Sequence, residues 1–498
     1  VSIEPGPAPG PTPGRAWRDG RWAPSPAVRL RREGFGGLAY RYRDRRLFFI
    51  HAPDVVELVL ALDGERPVGE LLDQTFQRRR GRRPRPEEQE TVARGLDRLL
   101  ALDVVRAPSG DPLAAPTARA RIQDARGERS VTESKEVFRR GLRAPICLTW
   151  ELTYGCNLRC AHCLSSSDVE RPGELDTAQA KALIDELAEM GVFYVNVGGG
   201  EPMSRPDFRE LMDHCMDAGV GVKFSTNGTL LDDASADWIS ARREMLDVQI
   251  SVDGARPETS DPLRGRGSFR RARQAMRRLA DRRFPFKINA VATRANVDEV
   301  DALHTLAVDH GATLRLTRLR PSGRGRAVWE AMRPTRAQNR FLYGWLQDHP
   351  EVLTGDSFFH LSAYGAPLDG LNLCGAGRIV CCIDPLGDVY ACPFVLDPAF
   401  AAGKVSGDGG FRRLWETSPL FAGLREWQVG GSCQSCNAYA SCHGGCMAVK
   451  HATGRSLESP DPDCVFGHGE EATAGADAAS GPRRRLPLPL APATPGPG

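Results

Sequence analysis

The sequence predicts an α/β protein built on a partial (β/α)6 barrel, with a small α+β block before it and a cysteine-rich extension after it. Three observations lead there. Six short apolar runs alternate with helical patterns between about residues 140 and 330, a Cys-x3-Cys-x2-Cys loop follows the first run directly, and cysteines crowd again beyond residue 370. Strands recurring between helices pair in parallel through crossovers.

Composition narrows the class. A chain of 498 residues is too long for one ordinary core, so two to four domains are expected. With 41% hydrophobic and 26% charged residues it reads as globular, and a net charge of +3 gives no argument for nucleic acid. The basic run Arg78-Arg79-Arg80-Gly81-Arg82-Arg83 reads as a solvated connection between helices. No apolar stretch is long enough to span a membrane, and the start has no signal-peptide pattern, which predicts a cytoplasmic protein. Its 14 cysteines are then reduced thiols or metal ligands.

Taken in order, residues 1–20 and 470–498 are rich in Pro, Gly and Ala and are expected to be disordered. The first block, 21–107, shows strands at Ala27 to Leu30, Leu38 to Tyr42 and Leu47 to Ile50, with turns at Gly34-Phe35-Gly36-Gly37 and Arg43-Asp44-Arg45. Helices follow from Pro53, from Val68 and from about Pro86 to Leu102, the first begun by a well-placed proline. Residues 108–139 read as a linker. The barrel region, 140–330, has strands at Ile146–Thr153, Tyr194–Val197, Val222–Ser225, Val248–Val252, Lys287–Ala292 and Leu314–Leu319, and Asp176 is a predicted N-cap. Residues 331–469 form the extension.

Chemistry concentrates at Cys156, Cys160 and Cys163. Three thiolates can hold a four-iron cluster and leave one iron open to a small molecule. Zinc is the alternative, but it prefers a closed four-ligand site, and His162 is too close in sequence to converge with its neighbours. After the second strand comes Gly198-Gly199-Gly200-Glu201-Pro202, where glycines permit close backbone approach to a ligand. Ser251 and Asp253 follow the fourth strand, and Arg264 is a candidate partner for a carboxylate. The plainer alternatives are a turn aspartate for Asp253 and a surface ion pair for Arg264. Sites on such barrels gather at the C-terminal strand ends.

These motifs resemble the radical S-adenosylmethionine (SAM) superfamily. That resemblance implies a SAM-binding set of His162, Gly199, Gly200, Glu201, Ser251 and Arg264, with SAM on the open iron and a 5′-deoxyadenosyl radical released from it. Downstream, Cys374, Gly387 and Cys392, then Cys433, Cys436, Cys442, Cys446 and Cys464, resemble the SPASM extension of peptide-modifying members. The resemblance implies two auxiliary clusters and so three [4Fe-4S] clusters in all. One would be held by Cys374, Cys381, Cys392 and Cys446, and the other by Cys433, Cys436, Cys442 and Cys464. Either Cys381 or Cys382 can supply the eighth thiolate, and distance from Cys374 selects Cys381. A pair of zinc knuckles is the alternative. Cys147 and Cys215 read as core thiols.

Longer runs, including Leu-Thr-Trp-Glu-Leu-Thr-Tyr, Val-Lys-Phe-Ser-Thr-Asn-Gly and Thr-Arg-Leu-Arg-Pro-Ser-Gly-Arg-Gly, resemble the mycofactocin radical SAM maturases over residues 140–470. The resemblance implies a ribosomal precursor peptide ending in Val-Tyr, oxidative decarboxylation of its C-terminal tyrosine, a Val-Tyr carbon–carbon crosslink and an external electron donor. Residues 21–107 resemble the separate mycofactocin-binding protein, a winged-helix-type recognition element that binds a leader peptide as an added strand. A generic docking module is the alternative for this block. For the whole chain the alternatives are another SPASM maturase or a non-catalytic iron–sulfur scaffold.

Overall fold

The computed structural model describes residues 2–3, 15–106, 141–355, 357–370 and 372–468. The expected linker and C-terminal tail lie outside the described residues. The chain divides into two compact units, Val1–Phe138 and Arg139–Gly498.

In the first unit, β3 (Val28–Glu33), β4 (Gly36–Arg41) and β5 (Arg46–Ile50) form an antiparallel meander. The pair β1 (Ser2–Ile3) adds to β5 in parallel, giving the order β1-β5-β4-β3. Gly34-Phe35 alone makes the first turn. Gly36 and Gly37 are already paired with Glu33 and Arg32, and the Cβ of any other residue at Gly36 would strike the carbonyl of Ile50 at 2.1 Å. The helices α1 (Pro53–Ala61), α2 (Val68–Arg80) and α3 (Pro86–Ala101) follow the predicted apolar spacing. They enclose one core with Phe48, Ile50 and Leu96. Trp17 and Trp22 also enter that core, so the ordered unit begins before residue 20. Two apolar indoles outweigh the Pro/Gly-rich composition around them. A short ribbon of β2 (Ala23–Pro24) and β6 (Val105–Arg106) closes the unit.

The second unit carries six parallel strands in sequence order. They are β7 (Cys147–Glu151), β8 (Tyr194–Gly198), β9 (Gly221–Thr226), β10 (Leu246–Ser251), β11 (Lys287–Ala292) and β12 (Thr313–Arg318). Each strand alternates. Leu148, Trp150, Val195, Val222, Phe224, Ile250, Ile288 and Leu316 pack outward against helices in one large core. Asp176 caps its helix as expected, accepting from the Gln179 N–H at 2.8 Å.

The sheet does not end with the barrel. β13 (Cys382–Ile383) pairs in parallel with β7, and β14 (Asp388–Tyr390) and β15 (Ala401–Lys404) continue antiparallel, making nine strands. No break between separate bodies falls at residue 330. The extension is built onto the free edge of the barrel sheet, where β7 has backbone groups left to pair.

Candidate active site and cysteine centres

The loop of Cys156, Cys160 and Cys163 leaves the C-terminal end of β7 and is stitched to the loop after β8. Gly200 N–H donates to the Thr153 carbonyl at 2.7 Å, and Glu201 N–H to that of Gly155 at 2.9 Å. Gly199 sits at φ +104°, and a Cβ on Gly200 would lie 1.8 Å from the Gly155 oxygen, so only glycine permits this approach. The Glu201 side chain is buried and already engaged. It accepts from Thr226 Oγ1 and from the Asn227 N–H, both at 2.8 Å, and from the Met203 N–H at 3.2 Å. Glu201 therefore braces the end of β9. Burial raises its carboxyl to about 7.

On the opposite side, fully buried Asp253 lies between His162 Nε2 at 3.0 Å and the Arg264 guanidinium, whose Nε is at 2.6 Å. Although burial opposes it, the Arg264 charge first, with His162 and the Val291 N–H beside it, holds its carboxyl well below the usual range. Arg264 is thus committed to a protein carboxylate through Nε, and Asp253, which reads as a turn residue in the sequence, is the hub of the cluster-loop wall. Ser251 ends β10 opposite Asn289, half-buried and facing the lumen.

Two further elements clasp the loop. Arg324 donates to the carbonyls of Cys160 at 2.9 Å and Ser167 at 3.0 Å, and its N–H reaches the Cys163 carbonyl at 2.9 Å. Gly323, at φ +52°, passes so close that a Cβ would meet the Leu164 oxygen at 2.4 Å. The Ser-Gly-Arg-Gly run beyond β12 carries that signal in the sequence. Asn157 joins the loop to β9 by accepting from Asn227 Nδ2 at 2.8 Å and donating to Thr229 Oγ1 at 2.7 Å.

The downstream cysteines form two groups. Cys433, Cys436, Cys442 and Cys464 line one cavity together with His360 and Phe466. Cys374, Cys392 and Cys446 form the other, where burial first and then the neighbouring thiols push Cys392 up to about 12. The expected fourth member, Cys381, is not in that group. It packs in the apolar core, and the ionisable groups acting on it are Cys147 and Arg425. Cys382 points the other way, pairs with Tyr390 and has Cys392 among its electrostatic neighbours. The reason is the strand period: adjacent residues face opposite sides of a sheet, so linear spacing from Cys374 could not choose between them. Cys147 and Cys215 are buried as read, although Cys147 faces the lumen, where Asn196 Nδ2 donates to its sulfur at 3.4 Å.

The spacing of the sulfurs tests what these groups fit. Zinc at its usual 2.3 Å bond length would draw tetrahedral sulfurs to about 3.8 Å from one another. Among the described residues, no set of three cysteines brings its sulfurs within 4.8 Å, a condition that only His304, His349 and Glu351 meet. None of the described cysteine groups is gathered to single-ion distance, and an all-thiolate donor set is the chemistry that an iron–sulfur cluster takes.

The partial parallel barrel with a three-cysteine loop at its C-terminal rim defines a radical SAM enzyme, and the radical SAM superfamily model matches residues 150–307. Mycofactocin maturase MftC of Mycobacterium tuberculosis (strain CDC 1551 / Oshkosh) is 55% identical over 367 residues, covering 71% of this chain and 94% of that protein. The MftC of Mycolicibacterium smegmatis is 56% identical, covering 68% and 87%. The chain belongs to the mycofactocin maturase family of radical SAM enzymes, whose chemistry uses SAM and a [4Fe-4S] cluster. Residues 21–106 match the peptide chaperone MftB family. Among solved structures, Streptococcus suis SuiB bound to S-adenosylmethionine has the same fold, with TM-score 0.66, 17% identity, and coverage of 89% of this chain and 99% of that one.

Proposed function

We propose that this enzyme matures a ribosomal precursor peptide ending in Val-Tyr, first removing the carboxylate of the C-terminal tyrosine oxidatively and then joining that end to the valine side chain. The observation that carries the reading is the extent of the likeness to MftC: 55% identity over 94% of the relative. The block outside that match resembles a peptide chaperone.

Cys156, Cys160 and Cys163 would hold one cluster and leave an iron for SAM, and these groups would supply a carbon-centred radical able to take a hydrogen atom. The chain does the rest. Gly199 and Gly200 keep the loop after β8 free of side chains, Asp253 holds His162 and Arg264 in place, and Ser251 faces the lumen; these residues would hold SAM. The tyrosine gives up one hydrogen atom from its β-carbon, one electron and carbon dioxide, leaving a carbon–carbon double bond. SAM would supply the acceptor for that hydrogen atom, and clusters held by the two downstream cysteine groups would supply an acceptor for the electron. The crosslink then rearranges bonds without net redox change. Two auxiliary clusters, on Cys374, Cys392 and Cys446 with Cys382 beside them, and on Cys433, Cys436, Cys442 and Cys464, bring the total to three. An external donor supplies the electron that SAM consumes.

Leader recognition falls to the first unit. Its β5 already accepts Ser2–Ile3 as an added strand, which supports this edge as one that takes extended peptide. Fourteen unpaired thiols suit work in the reducing cytoplasm. Deuterium on the tyrosine β-carbon tests the reaction. It should appear in 5′-deoxyadenosine, and its retention in the peptide during turnover would refute abstraction at that carbon.

A further inference from the structure

The barrel lumen carries more positive charge than its own carboxylates neutralise. Lys223 on β9, Lys287 on β11 and Arg315 on β12 all face inward, opposite the apolar residues that alternate with them. Asp247, the residue paired with Lys223 across β9 and β10, gives both oxygens to Lys287 at 2.6 Å. Among the described residues, the Lys223 ammonium has no hydrogen-bond or ion-pair partner, and it lies 5.0 Å from the centre of the Tyr194 ring. Arg315 is no better matched. Among the described residues its one side-chain hydrogen bond goes to Gln249 Oε1 at 2.9 Å, its Nε is buried without a partner, and no carboxylate lies within ion-pair distance. Gly355 passes directly over that guanidinium: a Cβ there would stand 2.5 Å from Nη2.

Both residues are half-buried, and a cation drawn partly out of water without a counter-ion carries a cost that a ligand's negative charge would offset. The two residues also differ usefully. Lysine offers a point charge and arginine a planar fork that matches the two oxygens of a carboxylate. Both stand on the inward face below Ser251 and Gly198, the strand ends at which SAM chemistry takes place.

We propose that Lys223 and Arg315 form the subsite for the free α-carboxylate at the C-terminus of the peptide substrate, seating the last residue with its β-carbon toward the strand ends. This rests on the reading that the reaction takes place at the peptide's C-terminal residue. The grip also has a direction: once carbon dioxide leaves, the product has lost the charge that held it, which favours its release before the same end is re-engaged for crosslinking.

The test uses full-length enzyme reconstituted with iron and sulfide in the presence of SAM. Two leader-free pentapeptides ending in Val-Tyr are compared by calorimetric titration, one with a free carboxylate and one with a C-terminal amide. The free acid should bind about tenfold or more tightly than the amide, and Lys223→Met should abolish that preference. Lys223→Arg should restore most of it. Equal binding of acid and amide by the unmodified enzyme overturns the subsite and needs no variant to be folded. A preference that survives Lys223→Met and Arg315→Gln, each with intact iron content, overturns the assignment to these residues. If the acid is preferred but no carbon dioxide is released, the proposed reaction fails while the subsite stands.

Discussion

Arg318 grips Asp461 with both terminal nitrogens, at 2.9 and 2.6 Å, both side chains being almost wholly buried. Arg318 ends the last barrel strand. Asp461 accepts the N–H of Cys446 at 2.7 Å, and its own carbonyl accepts that of Cys464 at 2.9 Å. One ion pair therefore ties the barrel to both downstream cysteine groups, and it holds the Asp461 carboxyl far below its ordinary range despite burial.

Replacing Asp461 by alanine leaves Arg318 buried with only Asp463 for charge, which should destabilise the fold by roughly 3–5 kcal/mol. Iron analysis of Asp461→Ala should show loss from the auxiliary sites with retention at Cys156, Cys160 and Cys163. Full iron content would separate the ion pair from cluster binding.

Replacing Cys156, Cys160 and Cys163 together by alanine should remove one cluster and all SAM cleavage while two clusters remain. Iron content with Mössbauer spectra checks the first half, and chromatography of 5′-deoxyadenosine the second. A triple variant that still makes 5′-deoxyadenosine would place the radical site elsewhere.

The strand period separates Cys381 from Cys382. Cys381→Ala should cost stability, as any loss of core volume does, and leave the iron count unchanged. Cys382→Ala should alter the paramagnetic resonance signal of the cluster on Cys374, Cys392 and Cys446. The reverse pattern would restore the assignment that linear spacing suggests.

Burial lowers the Lys223 ammonium to about 8, against opposing attraction from Asp247 and with Arg315 and Lys287 pushing the same way as burial. Tyr194 on β8 and Cys147 on β7 complete the ionisable groups around it. Since the unfolded chain binds this proton up to a higher pH, the lysine's penalty on stability is full below about pH 8. It fades as pH rises from there toward 10.5, so this group makes the peptide-free enzyme more stable in that window. Lys223→Met should accordingly raise the melting temperature at pH 7, by roughly 1 °C for each kcal/mol relieved at this size. A lower melting temperature would mean that the lysine serves the fold.

Deleting residues 1–107 should spare SAM cleavage and weaken leader binding, because the first unit has its own core and is proposed to supply the docking edge. Titration with the leader peptide reads this directly. Unchanged affinity would remove the docking role.

The strands and helices were legible because their apolar residues keep a strict period, with Lys287–Ala292 matching to the residue. The cluster loop was legible because three cysteines at fixed spacing have few other uses. What escaped was whatever depends on facing. Asp253 looks like a turn residue until His162 and Arg264 converge on it, and Cys381 and Cys382 are equivalent until a strand sends them to opposite sides. The lumen charges were present as the polar halves of alternating strands, Lys223-Ser225, Asp247-Gln249 and Lys287-Asn289. Only pairing shows which cation lacks a partner.

The central claim is decarboxylation at a C-terminal tyrosine, and the mass of the product tests it most directly. With SAM, a strong reductant and a leader-bearing peptide ending in Val-Tyr, the product should be lighter by about 46 Da, the carboxyl group and one further hydrogen, as expected of chemistry carried by the radical cofactor. The later crosslink should keep that mass and abolish fragmentation between Val and Tyr. A modified peptide that retains its carboxylate while SAM is consumed would contradict the account.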